Sequence, residues 1–353
     1  MKFSFWQNKK VLITGHTGFK GSWLSLWLQR LGAEVVGFSL NPPTEPNLFT
    51  LANIAKRMTS LLGNIRDFNS LKSVICEFEP EIIFHMAAQP LVGYSYENPV
   101  ETYSTNVMGT VNLLEAARHS RQFKVIVNVT SDKCYENNEE QKPFQESDRL
   151  GGHDPYSNSK GCAELVTHAF QKSYFSSPES LVRLASVRAG NVIGGGDWAE
   201  KRLIPDIVRS FLLNTTLNIR SPNALRPWQH VLESLNGYLH LAEALFTSEE
   251  YAQAWNFGPN REDAKPVGWI IEKMQELWGR RLSINYQDAE FQEAYFLTLD
   301  STKSKNKLNW TPHWNLETAL VKTVEWYRAF ENREDLYTKT CLQIEEYQNE
   351  HFQ

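Results

Sequence analysis

Apolar residues are spaced along this chain in two alternating rhythms. Lys10–Thr14 is a short β-branched run closed at once by glycine, the pattern of a strand buried on both faces. From Phe19 the spacing turns helical. Trp23, Leu24, Trp27, Leu28 and Leu31 share a face before Gly32 stops the run. The exchange repeats. Strands are predicted at Glu34–Leu40, Met58–Leu62, Glu81–His85, Lys124–Thr130 and Glu179–Arg188, and helices at Asp67–Phe78, Pro99–Ser120 and Asp154–Phe175. Such alternation predicts an α/β fold, a doubly wound parallel sheet. No internal repeat is present. After about residue 190 the elements shorten. Gly194-Gly195-Gly196 reads as a loop, helices are predicted near 204–213 and 232–248, a strand near 217–220, and a last helix at about 316–331. The expected organisation is a sheet domain over 1–190, a smaller C-terminal lobe over 191–335 with segments that return to the sheet, and a charged peripheral tail over 336–353.

Composition narrows the function classes. The chain has 353 residues, 41% of them hydrophobic, which is ample for a packed core. Its formal charge of −5 carries no basic excess for nucleic acid. Apolar stretches are far short of a membrane span, and Met1–Asn8 lacks the run and cleavage site of a secretory signal. The four cysteines lack CxxC spacing, so a reducing cytoplasm is expected, and the nine histidines lack ligand spacing, so no metal is expected.

Candidate chemistry begins at Gly15-His16-Thr17-Gly18-Phe19-Lys20-Gly21, between the first strand and the first helix. Gly15 can turn tightly, Gly18 can admit a pyrophosphate to the backbone, and Gly21 can let the helix pack on the strand. Free amides at the helix start would then face the phosphates, a Rossmann-type arrangement. A second feature is Tyr156-Ser157-Asn158-Ser159-Lys160. Four residues advance a helix by about 400°, so the phenol and the amine share a face. Bringing a phenol from pKa ~10 to neutrality takes roughly 4 kcal/mol, and an adjacent ammonium is a source. Ser131, which ends the fifth strand, lies 25 residues upstream of Tyr156. Asp132-Lys133 follows it at the carboxyl end of a parallel strand, where such folds bind ligands. Arg202, Arg220 and Arg226 could clamp a diphosphate.

The glycine turn, the Tyr156/Lys160/Ser131 set and the string Arg226-Pro227-Trp228-Gln229-His230-Val231 resemble the extended short-chain dehydrogenase/reductase family, in its nucleotide-sugar 4,6-dehydratase group. The resemblance runs over essentially the whole chain. It implies a catalytic set of Ser131, Tyr156 and Lys160 with Asn106 as its fourth member, and Asp132 and Lys133 at the elimination step. The usual group has an Asp-Glu pair there, so Lys133 is either the base or a cation that stabilises an enolate. NAD is the implied cofactor, with Thr130, Ala87, Ala88 and Asn106 beside it and Ile65 and Asn64 near the adenine; Asn64 reads equally as a turn residue. Asn191 is the implied substrate asparagine. The second strand ends without an acid before Glu45 and without a basic residue between Arg30 and Lys56. The choice between NAD and NADP is therefore open on that strand, with Ser39, Asn41 and His16 as candidate ribose contacts. The implied substrate is CDP-glucose, the product a precursor of deoxyhexoses in bacterial surface polysaccharide, and the implied assembly a homodimer. An epimerase of the same fold and a non-enzymatic dinucleotide sensor are the alternatives.

Overall fold

A computed structural model describes residues 3–119, 122–138, 142–177, 179–287 and 296–351. Seven strands form one parallel sheet: β1 (Lys10–Thr14), β2 (Glu34–Ser39), β3 (Thr59–Leu62), β4 (Ile82–His85), β5 (Lys124–Val129), β6 (Val182–Ala189) and β7 (Ala254–Phe257). Their spatial order is β7-β6-β5-β4-β1-β2-β3, so the direction of winding reverses between β1 and β4. Main helices are α1 (Phe19–Arg30), α2 (Phe68–Phe78), α3 (Gly109–Arg118), α4 (Pro155–Phe170), α5 (Leu203–Leu213), α6 (Val231–Thr247), α7 (Leu316–Glu331) and α8 (Leu336–His351).

Alternation within each strand splits the core in two. Val11, Ile13, Val35, Phe84 and Val127 pack on one face with α1, α6 and α7, whereas Leu12, Val36, Phe38, Ile83 and Ile126 pack on the other with α2 and α3. Both faces are covered, which is why these strands read as continuous apolar runs. The second half of the chain re-enters this core through α6 and then adds β7 beside β6.

The helix expected over Pro99–Ser120 is interrupted. Pro99–Tyr103 runs into a π-helical turn at Ser104–Met108 and then into α3, which ends at Arg118; Ser120 lies outside the described residues. The Asp154–Phe175 helix likewise finishes in a π-turn at Gln171–Phe175. Residues 336–353 differ from the expected peripheral tail. They contribute α8, whose Leu336, Cys341, Ile344 and Tyr347 are buried. These positions recur every three to five residues and form one apolar stripe in an otherwise charged segment. Phe352 and Gln353 lie outside the described residues.

Glu233 on α6 fastens that helix down. Its carboxylate accepts the backbone amides of His313 (3.0 Å) and Trp314 (2.6 Å) and the hydroxyl of Tyr347 (2.8 Å). Burial pushes its pKa up to about 7 against the pull of these three donors. Replacing Tyr347 by Phe removes one donor from a buried carboxylate and should cost about 1.5–3 kcal/mol in urea unfolding. The deficit should shrink as pH falls below about 7, because the lost bond matters most to the ionised carboxylate. A deficit unchanged by pH would show that Glu233 is not the partner that counts.

Candidate active site

Thr14, at the end of β1, organises the approach to the site. Its hydroxyl pairs with His85 Nδ1 (2.8 Å) and accepts the amides of Met86 (3.1 Å) and Ala87 (3.2 Å). This holds Ala87 against the glycine turn. Gly15 adopts φ 78°, and a Cβ there would lie 2.8 Å from the Ala87 nitrogen. A Cβ at Gly21 would lie 2.1 Å from the carbonyl oxygen of Gly15. At Gly18 the nearest atom would be 3.4 Å away, ordinary contact. Two glycines thus close the turn onto protein, and the third leaves it open. Gly18 is also the N-cap of α1 and brings no side-chain acceptor to the first-turn amides. An uncapped helix start with an open approach suits an anion.

The turn, the β5 end and the start of α4 line one cleft of about 1810 Å³. Sites for single drug-sized ligands run to ~1,000 Å³, so this one has room for two nucleotides. Of the residues singled out from the sequence, Gly15, Thr17, Gly18, Phe19, Lys20, Gly21, Ser39, Asn41, Asn64, Ile65, Ala87, Ala88, Thr130, Ser131, Asp132, Lys133, Tyr156, Lys160, Asn191, Arg202, Arg220 and Arg226 all line it.

His16 and Asn106 do not. The His16 ring is buried under β2, where a Cβ at Gly37 would lie 2.3 Å from it, and its Nε2 pairs with Ser60 at 2.8 Å. Burial lowers its pKa to about 4, so it is a neutral brace between the turn and β2–β3. Asn106 sits in the π-turn. Its amide accepts the backbone N–H of Gln89 (2.8 Å) and donates to the Gln89 carbonyl (3.1 Å) and to Ser159 Oγ (2.9 Å). It ties α4 to the segment after β4 from behind the cleft wall. Ser39 is already paired, since its hydroxyl meets Thr17 Oγ1 at 2.8 Å.

Tyr156 and Lys160 share a face of α4, as their spacing predicts, and both are nearly inaccessible. Burial raises the Tyr156 phenol to about 12, against a hydrogen bond with Ser131 that pulls it down. Burial lowers Lys160 to about 8. The Lys160 Nζ is 3.5 Å from the Val129 carbonyl, too long for a strong bond, so the ammonium keeps capacity for a ligand. Ser131 Oγ donates to Asp132 Oδ1 (2.9 Å) and accepts the Lys133 amide (3.1 Å). Burial raises the Asp132 carboxyl, partly offset by Lys133, and its Oδ2 is buried without a partner. Arg226 acts electrostatically on Asp132, and Arg202, paired with Asp197 at 3.1 Å, acts on Tyr156. Two of the three arginines therefore stand at the reacting end.

One further residue organises this end and carried no signal in the sequence. Glu164, one turn beyond Lys160, accepts from Thr130 Oγ1, Ser186 Oγ (2.7 Å) and Arg188 (2.7 Å). Burial pushes its carboxyl up, but Arg188 and these donors outweigh that and hold it below the usual range. Arg188 also donates to Tyr135 Oη (2.7 Å), which donates to Asn256 Oδ1 (2.7 Å). Both ends of the 130–135 segment are thereby fixed. Arg66 was missed as well. It enters the cleft wall after β3, with its Nε 3.2 Å from Asn64 Oδ1. Among the described residues no His, Cys, Asp and Glu group could hold a metal, and no helix is long and apolar enough to cross a membrane.

The chain resembles known proteins over nearly its whole length. The profile of the family described as GDP-mannose 4,6 dehydratase matches residues 12–323. A CDP-glucose 4,6-dehydratase of Salmonella typhimurium is 52% identical, over 98% of this chain and 97% of its own length. The crystal structure of dTDP-glucose 4,6-dehydratase from Bacillus anthracis in complex with NAD superposes with a TM-score of 0.76 at 25% identity, covering 93% of this chain and 99% of that one. A UDP-glucose 4-epimerase from Thermotoga maritima with UDP-glucose shares the fold, with a TM-score of 0.80 at 22% identity over 91% of this chain and 99% of that one.

Replacing Glu164 by Gln leaves the buried Arg188 charge without its counter-ion. Unfolding in urea should show a loss of about 3–5 kcal/mol. A loss below ~1 kcal/mol, the scale of a surface pair, would mean that the ion pair does not hold the segment.

Proposed function

The chain belongs to the GDP-mannose 4,6-dehydratase family, and from that premise we propose that it is an NAD-dependent 4,6-dehydratase that converts CDP-glucose to CDP-4-keto-6-deoxyglucose. The observation that carries the reading is Ser131-Asp132-Lys133 facing Tyr156 and Lys160 in one cleft with an open glycine turn. The cytidine base rests on the Salmonella relative. Products of such chemistry feed deoxyhexoses of surface polysaccharide.

The residues fit a dinucleotide. The Gly15–Gly21 turn and the uncapped α1 would hold its pyrophosphate, Ser39 and Asn41 a ribose, Asn64 and Ile65 the adenine, and Ala87, Ala88, Thr130 and Lys160 the nicotinamide half. The chemistry a bound NAD supplies is hydride storage, taken from sugar C4 and returned at C6. Tyr156 takes the C4 hydroxyl proton while Ser131 Oγ holds that oxygen. From pKa about 12 to neutrality is about five units, ~7 kcal/mol, which Lys160 must share with a cationic ring. The C4 ketone acidifies C5–H. Asp132, whose hold on a proton burial strengthens, serves as the acid that protonates the C6 hydroxyl, which departs as water. Lys133 either takes the C5 proton or, as a cation, stabilises the enolate oxygen at C4 while water or another side chain takes that proton. Asn191, Arg220 and Arg226 would hold the nucleotide sugar.

The assembly in this reading is a homodimer. Val100 (82% exposed), Met108 (51%) and Leu165 (58%) leave apolar surface on the helices over 99–118 and on α4. Four unpaired thiols suit a cytoplasmic setting.

Incubation with CDP-, UDP-, dTDP- and GDP-glucose in the presence of NAD tests the function. Mass spectrometry should show loss of one water from the cytidine sugar; an isomer of unchanged mass would instead mark an epimerase. In Lys133→Met, dehydration and C5 deuterium exchange should fall together. Exchange and turnover at the wild-type rate would make Lys133 a bystander. Lys133→Glu separates its roles, since elimination survives with a carboxylate base and is lost if a cation is needed. Light scattering should give twice the 40.7 kDa chain mass, and a monomer mass would contradict the dimer.

A further inference from the structure

The two oxygens of the Asp132 carboxyl have different surroundings. Oδ1 accepts the hydroxyl of Ser131 (2.9 Å), a residue of the cleft wall. Oδ2 is buried with no hydrogen-bond partner. What lies against Oδ2 is Gly190, the first residue after β6. A Cβ there would come within 3.1 Å of Oδ2, 2.5 Å of Pro227 Cγ and 3.1 Å of the Pro227 carbonyl oxygen. The backbone makes no demand for glycine at this position, since its φ lies outside the left-handed region. Space alone demands it. Pro227 is fixed in its turn. It closes the short strand Leu225–Pro227, which pairs antiparallel with Ala264–Pro266. Trp228 Nε1 donates to the Lys265 carbonyl (2.9 Å) and the Gln229 amide to the Asn191 carbonyl (3.0 Å), so the two walls are tied together.

Neither wall brings a side-chain donor to Oδ2. A carboxylate oxygen in such a niche has lost water and gained nothing, whereas the carbonyl oxygen of an unionised carboxyl loses far less. The niche therefore favours the acid form, with Oδ2 as its carbonyl oxygen and the proton on Oδ1, beside Ser131. Other groups act on the same carboxyl. Lys133 beside it and Arg226 next to Pro227 favour ionisation, and burial, the largest influence, opposes them. Lys20 from α1, Tyr156 from α4, Tyr238 from α6 and Cys134 from its own segment all feel its charge.

We propose that Gly190 is a positioning residue for the elimination step: with Pro227 it forms a donor-free niche that takes one oxygen of the Asp132 carboxyl and turns the other, with its proton, toward the sugar. The inference rests on the dehydratase reading above. In that step the Oδ1 proton passes to the C6 hydroxyl oxygen, and the C6–O bond breaks to release water. The C5–H electron pair becomes the C5=C6 bond, and the C5 proton goes to whichever of Lys133 and water serves as base. A donor set against Oδ2 would favour the carboxylate and leave Asp132 no proton to give. Hydride transfer from C4 does not use this proton, so the two halves of the reaction respond differently to a change in the niche.

Two variants change the niche from opposite sides. Gly190→Ser sets a hydroxyl against Oδ2. Pro227→Ala trims the facing wall, adds no atom that can clash, and admits water. Both favour ionisation of Asp132. The high-pH limb of the dehydration profile, where the acid has lost its proton, should therefore move to lower pH in both. A shift of one unit lowers turnover on that limb about tenfold. Reduction of bound NAD by CDP-glucose, followed by stopped-flow absorbance, should keep its wild-type rate. With elimination slowed, reduced nicotinamide should accumulate in the variants and not in the wild type. Asp132→Asn should abolish the limb along with most of the turnover, which assigns the limb to Asp132. Adding Gly190→Ser to Asp132→Asn should then cost nothing further, because the glycine acts through the acid. Hydride transfer and dehydration falling by equal factors, a profile unmoved in both variants, or a further loss in the Asp132→Asn background overturns the proposal, while dehydration by the wild type upholds the reading beneath it. Wild-type protein that dehydrates none of the nucleotide glucoses overturns that reading and this inference together.

Discussion

A single buried ion pair sets the distance between the two halves of the catalytic apparatus. Tyr156, Lys160 and Glu164 follow one another at four-residue intervals on one face of α4. The first two face the cleft, and the third reaches through to Arg188 on β6. Thr130, just before Ser131, hangs on the same carboxylate, and Tyr135 hangs on the same guanidinium. A buried pair of this kind gains little net stability over an apolar core, because desolvating both charges offsets their attraction. Its contribution here is geometric. With hydrogen bonds to strand, helix and loop, the pair permits few arrangements of the Ser131–Lys133 segment against Tyr156.

The cleft itself follows from the strand order. Chain from β1 and β4 leaves the sheet in opposite lateral directions, which opens a crevice at the carboxyl ends of the strands. Thr14, His85, Thr110 and Asn106 then form a hydrogen-bonded line behind that crevice, from the end of β1 to the π-turn. His16 plays the same part on the β2 side. These polar residues shape the walls and leave the surface to glycines, alanines and charged groups.

Much of this was legible in the chain. Parallel strands buried on both faces announce themselves as apolar runs, and a tyrosine and lysine four apart share a face in any helix. What was hidden depends on partners distant in sequence. His16 and Asn106 sit among residues that face the cleft, yet which way each side chain turns is decided by Gly37 and Gln89. Arg66 gives no signal on β2, because β3 delivers it beside Asn64. β7, four residues long, is too short to show a period and becomes a strand only through its pairing with β6. The stripe on α8 was diluted by its many charged neighbours.

The docking of α8 also bears on the order of assembly. Tyr347 stacks edge-on to Trp27 of α1 and to Trp314, while Trp314 Nε1 donates to Glu350. Trp27 is made well before Tyr347, which covers it. During synthesis, then, the first crossover unit has an indole without its neighbour until residue 347 clears the ribosome. The interval leaves apolar surface open on the sheet, the condition that makes folding intermediates prone to aggregate. A helix that lends the cleft no residue thus decides when the first crossover unit is closed.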